Sequence, residues 1–210
     1  MNILCLGSAA CNIASFFEKY PQYKIFKINV DISGEGCYNI PILETAEEYE
    51  QYGYPELSSF LSDVAGPTTF VVAGSSKISC ASLRILEHIR HLPIRILYVM
   101  PDLDFLDDTQ RMQERLVRAV LQEYTRSGVF EEICLISNNK LNEALIPTVH
   151  MINVFMNTNP IFGKLEKPKE THRIVTIGLF DAKKNEEKMF FSLDNSRDIC
   201  YIYGINEEKL

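Results

Sequence analysis

The chain has 210 residues, 46% hydrophobic and 23% charged, enough for one full globular core and a small annex. A formal charge of -7, a pI near 5.2 and the lack of any Lys/Arg-rich run argue against phosphate-driven binding of nucleic acid. No apolar run approaches the length of a membrane-spanning helix, so the reading is a cytoplasmic protein without a membrane partner.

Met1 to Cys5 is apolar but short and lacks a basic stretch, so it reads as a strand and not as a signal peptide. That strand, Asn2 to Leu6, leads through a turn of small residues, Gly7-Ser8-Ala9-Ala10-Cys11-Asn12, into a helix from Ile13 to Tyr20 that Pro21 ends. Lys24 to Val30 is a second strand, closed by Asp31. A loop with Gly34 and Gly36 leads to a short apolar segment, Tyr38 to Leu43. Glu44 to Tyr52 is acidic and fits helix or loop equally. Pro55 to Ala65 has helical spacing at Leu57, Phe60, Leu61 and Val64. Thr68 to Ala73 is a buried strand whose exit loop, Gly74 to Ser79, precedes a helix from Ala81 to His91. Ile94 to Met100 is another apolar strand, halted by Pro101. Asp107 and Gln110 stand at capping-box spacing for a helix to Arg126 that buries Met112, Leu116, Val120, Leu121 and Tyr124, with Gly128 closing it. Glu132 to Ile136 is one more strand.

Strands alternating with helices predict an α/β fold, a doubly wound parallel sheet covered on both faces. A helix from Pro147 to Asn157 ends this first unit, assigned to residues 1–158. Asn159 to Lys169 reads as a polar linker. Residues 170–210 hold three strand-like runs, Arg173 to Phe180, Lys188 to Leu193 and Ile199 to Ile205, expected to form a small β-meander annex packed on the main unit. The six cysteines, Cys5, Cys11, Cys37, Cys80, Cys134 and Cys200, occur singly with no CxxC pair, as buried reduced thiols do.

The order of elements and loops resembles the nucleotide-binding half of the tubulin/FtsZ family, over roughly Asn2 to Asn157. That family opens with a strand, a glycine-rich turn and an Asn, matched by Leu6-Gly7-Ser8-Ala9-Ala10-Cys11-Asn12. Its second strand ends in an Asn-x-Asp triplet, here Asn29-Val30-Asp31. Its fourth strand enters the signature loop through an Ala-Gly step, here Ala73-Gly74. Pro101, Phe105, Asp107 and Arg111-Met112 fit the Pro, acidic Phe-bearing loop and Arg-Met pair after the next strand. Ile136-Ser137-Asn138-Asn139-Lys140-Leu141 is similar to a Pro-Asn-Asp/Asn-like loop further on.

The departures from the family matter as much. Its signature loop is nearly all glycine, which lets backbone N–H groups close on phosphate. This chain keeps Gly74 and continues Ser75-Ser76-Lys77-Ile78-Ser79-Cys80, with side chains where phosphate oxygens would sit. The third phosphate loop, rich in Gly and Ala in the family, reads Glu50-Gln51-Tyr52-Gly53-Tyr54-Pro55. The family's catalytic loop has no counterpart after residue 157, so no catalytic residue is assigned and hydrolysis is not expected.

If nucleotide binding is retained, the resemblance assigns it to Gly7, Ser8, Asn12, Gly74, Ser75, Ser76, Lys77, Arg111, Asn138 and Asn153. GTP or GDP is the ligand in that case; otherwise no cofactor is expected. Each residue also has a plain reading. Lys77 lacks a P-loop context and reads as a solvated loop lysine. Asn12, Asn138 and Asn139 serve as turn or cap residues, and Asn153 fills a polar role within an apolar helix face. Asp102, Asp104, Asp107 and Asp108 lack EF-hand spacing, and His88 and His91 have no third ligand, so no metal is expected.

Three functions follow. The first is a non-catalytic structural or assembly subunit with protein partners or self-assembly, suited to a large assembly such as a virus particle. The second is a GTP-binding polymerising protein. The third is a Rossmann-like enzyme or small-molecule binder mistaken for the family through shared α/β features.

Overall fold

The computed structural model describes residues 1–138, 174–181, 186–189 and 199–205. Six parallel strands form the centre: β1 (Asn2–Leu6), β2 (Lys24–Asn29), β3 (Cys37–Asn39), β4 (Thr68–Ala73), β5 (Ile94–Met100) and β6 (Glu132–Ser137). They lie in the order β3-β2-β1-β4-β5-β6. β1 is buried along its whole length, and β4 and β5 nearly so, because helices or loops cover both faces of the sheet.

Alternation along the strands sends side chains to two separate cores. Ile3, Cys5, Val71, Leu97, Val99, Cys134 and Ile136 pack with Ala10, Cys11, Ile13 and Ala14 of α1 (Ser8–Ala14). Leu4, Leu6, Phe70, Val72, Ile96 and Tyr98 face the other way. There they meet α2 (Ala46–Gln51), α3 (Leu57–Leu61), α4 (Ser82–His88) and α5 (Asp108–Arg126), through Tyr49, Leu57, Leu61, Ile85, Leu86, Val117 and Leu121. Helices thus stand on both faces of a parallel sheet.

Several helix boundaries differ from expectation. α1 begins at Ser8, not after Asn12, because Gly7 alone, at φ 86°, turns the chain from strand to helix. The open segment Glu44 to Tyr52 is settled by a capping box: Thr45 accepts from the Glu48 N–H, and the Glu48 carboxylate accepts from the Thr45 N–H. α3 is only five residues long, since Glu56 stands left-handed at φ 63° just before it. A short 3-10 turn, Lys77–Ala81, precedes α4, which stops at His88. The capping box of Asp107 and Gln110 at the start of α5 is formed as expected, a feature worth about 1 kcal/mol.

The inward face of α5 needs a larger correction. Of the five residues expected inside, only Leu121 is buried, while Met112, Leu116, Val120 and Tyr124 are exposed. The buried row is instead Glu114, Val117, Leu121, Gln122 and Thr125. Glu114 and Thr125 tolerate this position because their hydrogen bonds are made. Glu114 Oε1 accepts from Arg118 at 2.8 Å, and Thr125 Oγ1 donates to the Leu121 carbonyl at 2.8 Å.

The C-terminal strands are β7 (Ile174–Asp181), β8 (Glu186–Met189) and β9 (Ile199–Ile205). They do not pair as a meander. β7 adds in parallel to the free edge of β6 through Ile174 to Thr176, and β9 runs parallel along β7 from Ile174 to Phe180. A strand has two edges, so β8, antiparallel to Gly178–Asp181, follows β6 along the same edge of β7. An uncovered β6 edge would leave a row of unpaired backbone groups, which this pairing satisfies. The expected helix 147–157, the linker 159–169, and Asn139 and Asn153 lie outside the described residues.

Candidate functional site

The strand order reverses between β1 and β4, and in an open α/β sheet that switch point, at the carboxyl ends of the strands, is where ligands bind. Gly7 follows β1 there and Gly74 follows β4. Ser8, Asn29 and Asn138 lie at the same end of the sheet, because parallel strands bring their carboxyl ends to one edge.

Both glycines at the crevice are packed against side chains of this chain. A Cβ placed on Gly7 would lie 3.0 Å from Ile78 Cγ2 and 3.8 Å from Ser76 Oγ. The Gly7 N–H, which a phosphate would need, donates to the Ile28 carbonyl at 2.9 Å. Ile78 is buried and belongs to the core on the α5 side. α1 holds only two turns and carries no acidic or basic residue in its end turns.

Gly74 is packed more tightly still. A Cβ there would fall 1.6 Å from Tyr98 Oη and 2.5 Å from Tyr98 Cζ. The register explains this: Tyr98 pairs with Val72, and Gly74 stands two residues further on the same face. The Tyr98 hydroxyl lies 3.2 Å from both the carbonyl oxygen and Oε1 of Glu114, and Arg118 completes the group. Burial, then the neighbouring Glu114 carboxylate, pushes the Tyr98 phenol well above its ordinary range, so it stays a neutral donor. Gly74 is absent from the residues with positive φ. Its missing side chain makes room for a tyrosine; no left-handed turn requires it.

The remaining assigned residues make protein contacts or face solvent. Ser76 is exposed, and its carbonyl accepts from the Ser79 N–H at 2.9 Å. Ser79 Oγ lies 2.6 Å from that carbonyl and 3.1 Å from the Gly74 carbonyl, which pins the loop shut. Ser75 is half-buried. Lys77 Nζ donates to the Glu44 carbonyl at 2.5 Å, away from Gly7. Ser8 Oγ accepts from Asn29 Nδ2 at 3.0 Å, and Asn12 is an exposed residue of α1. Arg111 Nε donates to the Leu106 carbonyl at 3.0 Å, and Asn138 is exposed. The structure therefore brings Gly7, Ser76 and the Gly74 loop together, while Lys77 and Arg111 serve neighbouring loops.

Other chemistry is similarly quiet. Burial, above all, raises the Cys5 thiol and pushes Cys11 up to about 11, the opposite of an activated nucleophile. His88 Nδ1 and Ser58 Oγ are 2.9 Å apart on the surface, and among the described residues His88 forms no ion pair with an acid. Asp102 caps a 3-10 turn and Asp107 caps α5, and no group of three metal-ligating side chains occurs among the described residues. No helix among them is long and apolar enough to cross a membrane.

Ile78, Tyr98, Glu114 and Arg118 are the residues that sequence reasoning missed. Two signals pointed to them. Tyr98 is the one polar-tipped residue in the apolar run Ile94 to Met100 apart from Arg95, and a buried Tyr needs a partner. Glu114 and Arg118 stand at the i,i+4 spacing of a helical ion pair.

No protein-family model matches the chain, and no curated protein proves similar to it.

Proposed function

We propose that the chain is a non-catalytic protein of the tubulin/FtsZ kind, acting as a structural or assembly subunit of a larger protein assembly. The strand order is shared by nucleotide-binding α/β folds at large. The narrower placement therefore rests on the loop motifs from Leu6 to Asn12, Asn29 to Asp31 and Ala73-Gly74. One observation carries the functional reading: Ile78 lies 3.0 Å from the Cβ position of Gly7 and Tyr98 1.6 Å from that of Gly74, so both glycines are packed against side chains of this chain. A fold that keeps its frame and packs these glycines is left with its surfaces as the means of action.

Nucleotide content and titration test this. Freshly purified protein is denatured, the supernatant is assayed for nucleotide, and GTP and GDP are titrated by calorimetry. The expected result is empty protein and a Kd weaker than about 1 mM for both. Co-purified guanine nucleotide or micromolar binding would move the chain to the GTP-binding polymerising class. A bound dinucleotide without GTP affinity would make it a Rossmann-like binder.

A further inference from the structure

We propose that the trough between α5 and α2 seats an amphipathic helix of a partner protein, whose apolar face lies on Met112, Leu116 and Val120 and whose basic flank faces Glu44, Glu47 and Glu50. This deepens the assembly reading by naming the surface and the chemistry of its occupant.

The shape argument begins with α5. Its 19 residues make a helix about 28 Å long. Met112, Leu116, Val120 and Tyr124 follow one another four residues apart, a ridge along one side of the helix. Met112 is 65% exposed and Leu116 59%, whereas Leu121, one row round, is 1% exposed. The ridge is one wall of a cleft of about 580 Å³, whose other wall includes Glu47, Glu50, Cys80 and Leu83. Glu50 and Leu83 also line a second cleft of about 620 Å³, which carries the trough on to Tyr124 and Val129. A trough that follows a helix for most of its length, with apolar residues at four-residue steps, matches the i, i+4, i+7 face of a docked helix. Large apolar side chains in a row are also costly to leave in water, at about 25 cal/mol per Å².

The charge argument selects the partner. Glu44, Glu47 and Glu50 are all exposed, and none is in an ion pair among the described residues. Among the described residues Lys77 is the one cation lining the cleft beside Glu44 and Glu47, already bonded to the Glu44 carbonyl, while Arg84 and Arg90 line the second cleft beside Glu50. The field of the carboxylates reaches the floor. Cys80 there is pushed up to about 11, by burial first and then by Glu50 and Glu47. A row of Lys or Arg on the incoming helix would meet these carboxylates as it docks.

A second copy of the chain fits less well. Among the described helices only α5 carries a row of exposed large apolar residues, and α5 is already a wall of its own trough. Joining two such faces would also bring two acidic rims together in a chain of net charge -7.

The test uses the full chain and two designed, fluorescein-labelled helical peptides of about 18 residues, roughly the length of α5. Both carry the same leucine face; one has Lys along its flank and the other Glu. The Lys peptide is expected to bind at micromolar Kd and the Glu peptide at least ~10-fold more weakly. In the double variant Glu47→Lys/Glu50→Lys the preference should reverse. Leu116→Asp should weaken the Lys peptide by ~10-fold or more. The charge reversal sits at exposed positions and keeps the test sharp if Leu116→Asp proves unstable. Equal affinities, no binding of either peptide, or self-association in sedimentation that Leu116→Asp abolishes would overturn the proposal. The parent reading fails by a separate readout. GTP binding in a protein that also takes the Lys peptide would sink it and leave the trough standing.

Discussion

The crevice at the ends of β1 and β4 and the trough beside α5 use their residues in opposite ways. In the crevice two glycines persist, yet each has a side chain against its Cβ position, Ile78 at Gly7 and Tyr98 at Gly74. In the trough, Met112, Leu116 and Val120 have the character of core residues, yet no side chain of the described chain covers them. The difference separates residue type from residue role. A glycine in the place of a phosphate loop can be demanded by a neighbouring ring, and an apolar residue at helical spacing can be held outside. What decides each case is the partner across the gap, and that partner comes from a different strand or helix.

The largest effect should come from restoring a single carbon at the crevice. Gly74→Ala places Cβ in the Tyr98 hydroxyl, and that ring is fully buried and bonded to Glu114. The backbone at Gly74 is not left-handed, so alanine meets no strain there beyond the clash. Urea denaturation is expected to show a loss of about 3 kcal/mol. In a Tyr98→Leu background the same change should cost under about 1 kcal/mol, giving a large coupling in the double-mutant cycle. If Gly74→Ala is tolerated in the wild type, the glycine is not there for Tyr98, and the packing of the crevice glycines loses its strongest support.

A smaller effect sharpens the view of α5. Leu121→Ala removes a fully buried side chain and should cost about 2 kcal/mol through lost burial and a cavity. Leu116→Ala, five residues earlier on the exposed ridge, should change stability by no more than about 0.5 kcal/mol. The same urea titration measures both. Equal costs at the two positions would mean that the ridge is covered in solution, and the trough would no longer be open to a partner.

These two regions also show where sequence is informative. β1, β4, β5 and β6 were legible to within about a residue because burial on both faces writes an unbroken apolar run. The start of α5 was legible because Asp107 and Gln110 are a local signal. Thr45 and Glu48 offered the same signal for α2, which the acidic composition around them obscured. The inward face of α5 was not legible. Its two apolar rows, Met112-Leu116-Val120 and Val117-Leu121, lie side by side, and periodicity cannot say which faces the sheet. The buried row carries Glu114 and Gln122, and polarity pointed the wrong way because Glu114 is paired, with Arg118 on the same helix and with Tyr98 of β5. The clash that makes Gly74 a glycine was hidden for the same reason. Tyr98 is 24 residues away in sequence, and only the β4–β5 register brings it alongside.

Lys77 carries the smallest expected effect and joins the two regions. By sequence it stands in the loop where a phosphate would be neutralised, and by structure it lines the trough. Its Nζ donates to the Glu44 carbonyl at an exposed site, a bond that water can replace. Lys77→Ala should therefore alter stability by no more than about 0.5 kcal/mol. It should leave GTP titrations as flat as in the wild type, because its ammonium is held on the Glu44 carbonyl. Its removal does change the trough, where the cleft holding Glu44, Glu47 and Glu50 would be left with no cation in its own lining among the described residues. The Lys-flanked peptide should then bind ~2-fold more tightly and the Glu-flanked peptide more weakly, in fluorescence titrations at low salt. A variant that instead loses a measurable GTP affinity would return Lys77 to the crevice, and the crevice to a nucleotide.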